Sequence, residues 1–426
     1  MALKRFDAGS WLDHPWSRRR ARAMGSGEDR AAVAEIVQRV AADGDEALLE
    51  FSERFDGWRP EEASAFRVDR AEIAAARGRL RPGDLEALEF AARRIRAFHR
   101  EERWEPTVGL PGLKLLTRPV RRAGVYVPGG RAAYPSTVLM CAIPARIAGV
   151  SEIALCSPPL PDGSLPAAVL AAAEIAEVDE VYRLGGAHAI AALAHGTVTV
   201  GAVDVVVGPG SRFVALAKRE VFGIVGIDSL AGPSEVVVVA DAAAVHLAAY
   251  LAADLAAQME HDPDAIGVLF TESAVLADAV AEEFAAQVPD LERREIVEAA
   301  RGAIVVTQTV EEAVHLADEF APEHLELVLR DGGGWATRIA NAGAVFVGPN
   351  APVALGDYVA GPNHTLPTSG GARFSGPLGV HTFLKRTSVA ELTRGDLEQL
   401  QEPARAIATL EGLQAHARSL EVRADA

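Results

Sequence analysis

In "DLAAQMEHDP", residues 254, 258 and 261 fall at i, i+4 and i+7 of a helix, so Asp254, Gln258 and His261 share one face. The positions around them are nearly all Ala or Leu, which predicts a helix buried around most of its girth. Buried polar groups need partners, and a carboxylate, an amide and an imidazole together can offer oxygen and nitrogen to a cation. A polar stripe satisfied by its own neighbours near a helix end fits the same spacing. In "FAPEHLEL", Glu323 and His324 stand between a helical and a strand pattern. Neutral imidazole can serve as a base near pH 7 and the carboxylate as another. Neighbours in extended chain point to opposite faces, so the two are expected to address different protons. An ordinary polar connector is the alternative.

Two further pairs lie downstream. Asp357 and His364 belong to "DYVAGPNHTLPTSGGARFSG", a loop of roughly twenty residues, longer than compact domains usually carry without a function. Glu411 and His416 in "EGLQAH" are five apart, about 140° around a straight helix. They can face one pocket only if the helix ends between them, which Gly412 allows. Phosphate binding is harder to place. "VPGGRAAYPS" is a glycine turn opening a helix, suited to an anion at the helix N-terminus, but it lacks the G-x-G-x-x-G spacing. "GGAHAI" and "VVGPGS" end two further strands, on the edge where open parallel sheets bind ligands.

The elements that must hold these groups change rhythm along the chain. Up to about residue 103 the pattern is charged and helical, as in "DLEALEFAARRIRAFHREERWE". From Gly124, short apolar runs alternate with helical stretches: "GVYV", "EIALCS", "EVYRL" and "VDVVV", then "EVVVVAD", "AIGVLF", "GAIVV", "LELVL" and "GAVFVG". Strands alternating with helices predict α/β architecture with two doubly wound, Rossmann-like parallel sheets. A helical N-terminal segment precedes them and a charged helical tail follows from about Val389.

Composition narrows the function classes. A chain of 426 residues, 49% hydrophobic, is expected to form more than one globular domain. The formal charge of −17, relieved only by "SRRRAR", argues against a nucleic-acid partner. Cys141 and Cys156 are too few for a disulfide framework or thiolate metal site and read as small core residues in a reducing cytoplasm. No apolar run precedes the charges of the first residues, so no signal peptide is expected. The apolar run 242–258 carries His246 and Asp254, which favours a core helix over a membrane span.

Taken together, "GVYVPGGRAAYPSTVLMCAIPARIAGV", "GIDSLAGPSEV", "DLAAQMEHDP", "FAPEHLEL", "GDYVAGPNHTLPTSGGARFSGPLGV", "FLKRTS" and "EGLQAH", in this order from about Arg121 to His416, resemble histidinol dehydrogenases. The resemblance implies a zinc ion held by Gln258, His261, Asp357 and His416, with Glu323 and His324 as the acid and base pair. It implies oxidation of L-histidinol to L-histidine with two NAD, in two steps through an enzyme-held aldehyde. Substrate contacts would come from Ser234, His364 and Glu411 together with the metal ligands and His324, and nucleotide contacts from Tyr126, His188 and Ser211. Asp254 has no matching role and is expected to orient a ligand from behind. The family is homodimeric, with the tail reaching the neighbouring subunit's site. The implied division is an arm at 1–21, a helical part at 22–103 packing with a catalytic domain at 234–378, a nucleotide domain at 104–233, and the tail at 379–426.

The chain departs from the family pattern near the nucleotide. It has His188 for a usual Gln, His195 for Tyr, Ser211 for Asn and Ser229 for Met. These changes keep open a related zinc- and NAD-dependent enzyme acting on another amino alcohol or diol. A metal hydrolase using Glu323 is a third reading, but it leaves two nucleotide-type sheets without a purpose.

Overall fold

The computed structural model describes residues 3–17, 25–102, 110–129 and 133–424. It divides into two units, one formed by Met1–Glu102 with Val120–Phe383, the other by Arg103–Pro119 with Leu384–Ala426. Within the described residues the strands in chain order are β1 (Lys4–Asp7), β2 (Leu113–Pro119), β3 (Arg122–Tyr126), β4 (Glu152–Ser157), β5 (Glu180–Arg183), β6 (Val205–Val207), β7 (Gly226–Ile227), β8 (Glu235–Ala240), β9 (Ile266–Thr271), β10 (Arg301–Val306), β11 (His324–Val328), β12 (Ala344–Val347) and β13 (Leu384–Ala390).

The first unit holds two wholly parallel sheets, ordered β5-β4-β3-β6-β7 and β1-β10-β9-β8-β11-β12. Their strands are near-continuous apolar runs because both faces are covered. In β8 the alternation of side chains sends Val236 and Val238 to one face, with Leu251, Leu255 and Met259 of the Ala248–Met259 helix. Val237 and Val239 go to the other, with Leu316 and Phe320 of the Val310–Phe320 helix. Each such large side chain contributes about 1.5–3 kcal/mol on full burial. β11 obeys the same rule: Leu325 and Leu327 join the second face, which leaves His324 and Glu326 on the face of the Ala248–Met259 helix. Two core positions are thereby occupied by ionisable groups.

The run at 242–258 becomes a 3₁₀ turn, Ala242–Leu247, leading into that helix. By length and composition Ala242–Met259 could cross a membrane, but its Leu251, Leu255 and Met259 lie in the sheet core. Cys141 and Cys156 are fully buried, and burial pushes both thiols up, Cys141 to about 12.

The N-terminal part corrects the expected packing. Val33, Val37 and Val40 of the Gly27–Asp43 helix meet Leu193, Val214 and Leu216, while Ala91, Ala92 and Ile95 of Pro82–Arg100 meet Leu139 and Ile143. These helices therefore cover the five-stranded sheet rather than the segment 234–378. The six-stranded sheet already has both faces filled. Residues 3–17 are also more than an arm: β1 pairs with β10, and Trp11, 1% exposed, packs on Phe270 and Phe320. Part of the basic run at 17–22, together with residues 130–132 of the first glycine turn, lies outside the described residues.

The stretch after Gly348 is less irregular than its sequence suggests. Asp357 sits on a short helix, Val353–Tyr358, and the segment beyond it is fastened by buried polar groups. Asn363 donates to the Met140 carbonyl at 2.6 Å, Gly232 N–H donates to Thr368 Oγ1 at 2.5 Å, and Ser369 N–H to Glu235 at 2.8 Å. In the second unit β2 and β13 form an antiparallel ribbon, followed by helices Arg394–Leu410 and Gln414–Ala424. The break between those helices falls at Gly412, whose φ of 72° is left-handed, so Glu411 and His416 do not share one continuous helix.

Candidate active site

His324 is the first residue of β11 and Glu235 the first of β8, and these strands are paired. Gln258 comes from the last turn of the helix that runs back toward the same edge. The cluster thus forms at the amino ends of central strands, opposite to the edge where open parallel sheets usually bind ligands. His324 is 3% exposed and Glu323 8% exposed. The His324 Nδ1–H donates to the Glu235 carbonyl at 3.0 Å, since a carbonyl can only accept, and the Gln258 amide lies 3.1 Å from the same nitrogen. In the neutral ring Nε2 then carries the lone pair; it has no hydrogen-bond partner and faces Asp357 Oδ1 at 3.5 Å.

Two other imidazoles are fixed in the same way. His261 Nδ1 donates to the Ala257 carbonyl at 3.1 Å, and His364 Nδ1 to the Asp357 carbonyl at 2.7 Å. A main-chain carbonyl on Nδ1 sets the tautomer and leaves Nε2 basic. His364 Nε2 faces Thr137 at 3.5 Å, on the helix that follows β3. Burial alone would raise the Asp357 carboxyl, but His324, His364 and His261 together hold it below the usual carboxylate range. Burial alone would lower His324; Glu323 and Asp357 outweigh it and raise the ring to about 10. For His364 burial prevails and the ring falls below its ordinary value.

Glu323 does not diverge from His324 as strand neighbours would. Ala321, at the end of the Val310–Phe320 helix, takes a left-handed φ of 54°, and Glu323 precedes the strand. Its Oε2 accepts from Glu235 N–H at 2.9 Å and stands 3.5 Å from His324 Nδ1. Base and carboxylate therefore lie side by side. Glu235, fully buried, was not singled out from sequence, although a carboxylate heading a strand of valines is the same kind of signal as Gln258 among alanines. Ser234 precedes it, partly buried, at the same edge.

The donor set fits a divalent cation: the His261 Nε2 left free by its fixed tautomer, the Asp357 carboxylate and the Gln258 amide. Among the described residues no three His, Cys, Asp or Glu side chains alone form such a site. Glu411 and His416, both exposed, belong to the second unit.

The candidates for the nucleotide fare differently. Tyr126 is 4% exposed and its hydroxyl accepts from Gly186 N–H at 3.0 Å. His188 is fully buried, with Nε2 at 3.0 Å from Asp56, and the same carboxylate accepts from Gly185 N–H at 3.1 Å. The helix N-terminus at "GGAHAI" is thus capped by the protein's own carboxylate and phenol, so these two side chains do not fit a nucleotide phosphate there. Ser211, exposed at the start of the Arg212–Val221 helix and making no capping bond, remains available. Ser229 lines a cleft of about 220 Å³ with Asp228, Thr365 and His381.

Comparison with known proteins agrees with the motifs. A sequence model of histidinol dehydrogenases matches residues 19–424. The chain is 50% identical over 400 residues to histidinol dehydrogenase of a Synechococcus species, covering 92% of each chain. It is 48% identical to that of Moorella thermoacetica over 401 residues, 92% of this chain and 94% of the relative. The crystal structure of histidinol dehydrogenase from Elizabethkingia anophelis superposes with a TM-score of 0.91 at 30% identity, covering 99% of this chain and 98% of that one. An acetylating aldehyde dehydrogenase from Geobacillus thermoglucosidasius shares the fold alone, with a TM-score of 0.51 and 13% identity over 89% of this chain and 96% of that one. On the strength of the family match along nearly its whole length, the chain belongs to the histidinol dehydrogenases, a family of oxidoreductases.

Proposed function

We propose that the chain oxidises L-histidinol to L-histidine through L-histidinal, using two NAD and one zinc ion per subunit. The observation that carries this reading is the set of three imidazoles, His261, His324 and His364, each tied at Nδ1 to a main-chain carbonyl and all acting on Asp357. His324 Nε2, buried and without a hydrogen-bond partner, is placed to take the hydroxyl proton of an alcohol. Glu323 beside it is suited to draw a proton from water as the water adds to the aldehyde, and the hydrate so formed gives its hydride to the second NAD. His364 and Ser234 would orient the substrate from either side. When bound, zinc supplies positive charge that orients the substrate's nitrogens and offsets the carboxylates that otherwise keep His324 protonated. Gln258, His261 and Asp357 would hold it, with His416 as the fourth ligand and Glu411 as a substrate contact, both from the tail of the partner in a homodimer, as the resemblance implies.

The test is a direct assay. Protein loaded with zinc should form two NADH per L-histidinol, lose this on chelation and regain it on zinc addition. Absence of turnover with L-histidinol in zinc-loaded protein would sink the reading.

A further inference from the structure

Asp254 and Glu326 are outside the machinery described so far, yet they sit directly behind it. Glu326 is two residues along β11 from His324, on the same face, and Asp254 is one helical turn before Gln258. Two strand residues span about 6.6 Å and one turn of four helical residues about 6 Å, so the two elements match rung for rung. Gln258 meets His324, and Asp254 and Glu326 line one shallow cleft. Glu326 is 2% exposed; its Oε1 accepts from Val353 N–H at 2.9 Å, and its Oε2 is buried with no hydrogen-bond partner. Glu326 Oε2 thus lies unpartnered beside a cleft that Asp254 also lines, and two carboxyls brought together there need a proton between them.

We propose that Asp254 and Glu326 form a positioning pair, joined through one shared proton, that clamps the Ala248–Met259 helix onto β11 and so holds Gln258 against His324. This rests on the base role proposed for His324. The groups facing the pair are His324 from its own strand, Tyr250 from the helix and the Val353 N–H from the Val353–Tyr358 helix; a shallow cleft that the pair lines contains no Lys or Arg. Without a cation, loss of the shared proton sets two carboxylates against each other and drives helix and strand apart. Burial, and for Glu326 the neighbouring Asp254, push both carboxyls above the ordinary range. The sign follows: the pair's contribution to stability is complete below the unfolded value near pH 4 and is lost as pH rises toward about 8.

The experiment combines infrared spectroscopy, unfolding and kinetics on the zinc-loaded protein. Wild type should show a protonated-carboxyl band near neutral pH that Glu326→Gln removes. Its melting temperature should fall between mildly acidic and mildly alkaline pH more steeply than that of Asp254→Asn. Asp254→Ala should lose roughly tenfold or more in kcat, the usual scale for removing support behind a site, while Asp254→Asn restores most of it and moves the alkaline limb of kcat upward. The pair is refuted if the band survives Glu326→Gln, or if Asp254→Ala matches wild type across the pH range. If even wild type fails to oxidise L-histidinol, the base role falls, but the band and the unfolding profiles still decide whether the proton is shared.

Discussion

The two parallel sheets of the first unit are built alike and finish their polar groups differently. At the carboxyl edge of the five-stranded sheet, the N–H groups of Gly185 and Gly186 are already met by Asp56 and Tyr126, and His188 is closed off by the same Asp56. At the amino edge of the six-stranded sheet, His324 Nε2 is buried with no hydrogen bond and faces the Asp357 carboxylate at 3.5 Å, while His261 keeps its Nε2 off the main chain. A buried polar atom without a partner costs about 1–3 kcal/mol, and His324 Nε2 is one of several here, His188 Nδ1 among them; what sets it apart is the carboxylate of Asp357 facing it. Apparent suitability for a ligand, a glycine turn before a helix, was satisfied internally. The unsatisfied site lies where a rule drawn from open sheets does not look.

The contrast is broken most severely at His324. His324→Ala should lower kcat for L-histidinol oxidation by about 10²–10⁴, the span of general base catalysis, with zinc content unchanged by metal analysis. A variant that retains the wild-type rate would move the base elsewhere. Glu323→Gln is expected to be milder, about 10–10², and lopsided: oxidation of L-histidinal should suffer more than oxidation of L-histidinol in single-turnover assays. Equal losses in both half-reactions would contradict separate roles for neighbours only 3.5 Å apart.

What could be read in advance follows from the same contrast. The sheets were legible because runs such as "EVVVVAD" and "AIGVLF" leave no polar face and so imply burial on both sides. Gln258 and His261 were legible because they interrupt an apolar helix. β1 and β7 were not: four and two residues carry too little pattern, and β1 is held by a partner some 300 residues away in the chain. Glu323 beside His324 depends on the left-handed turn at Ala321, a residue that announces no such turn. The packing of Val33, Val37 and Val40 was visible as an apolar stripe, but a stripe does not say which sheet it covers.

The five-stranded edge can be probed by removing its cap. Asp56→Ala strips the partner from Gly185 N–H and from His188, so stability should drop by about 1–3 kcal/mol in chemical denaturation. Turnover at saturating NAD should stay within about threefold of wild type, because no group placed near the reacting atoms is touched. A hundredfold fall in kcat would mean this edge takes part in the chemistry and the contrast between the sheets is false.

Ser211→Ala sharpens the contrast with the smallest change. Ser211 stands at the head of the Arg212–Val221 helix, exposed and making no capping hydrogen bond, so its hydroxyl contributes little to folding and the stability change should stay within about 0.5 kcal/mol. Of the three residues expected to meet the nucleotide it is the one that is exposed and whose side chain makes no hydrogen bond. If the cofactor reaches this edge at all, it meets this helix start, and KM for NAD should rise a few-fold while kcat holds, the mark of binding lost equally from ground and transition states. An unchanged KM would place the nucleotide away from all three side chains and leave the carboxyl edge of this sheet as scaffold.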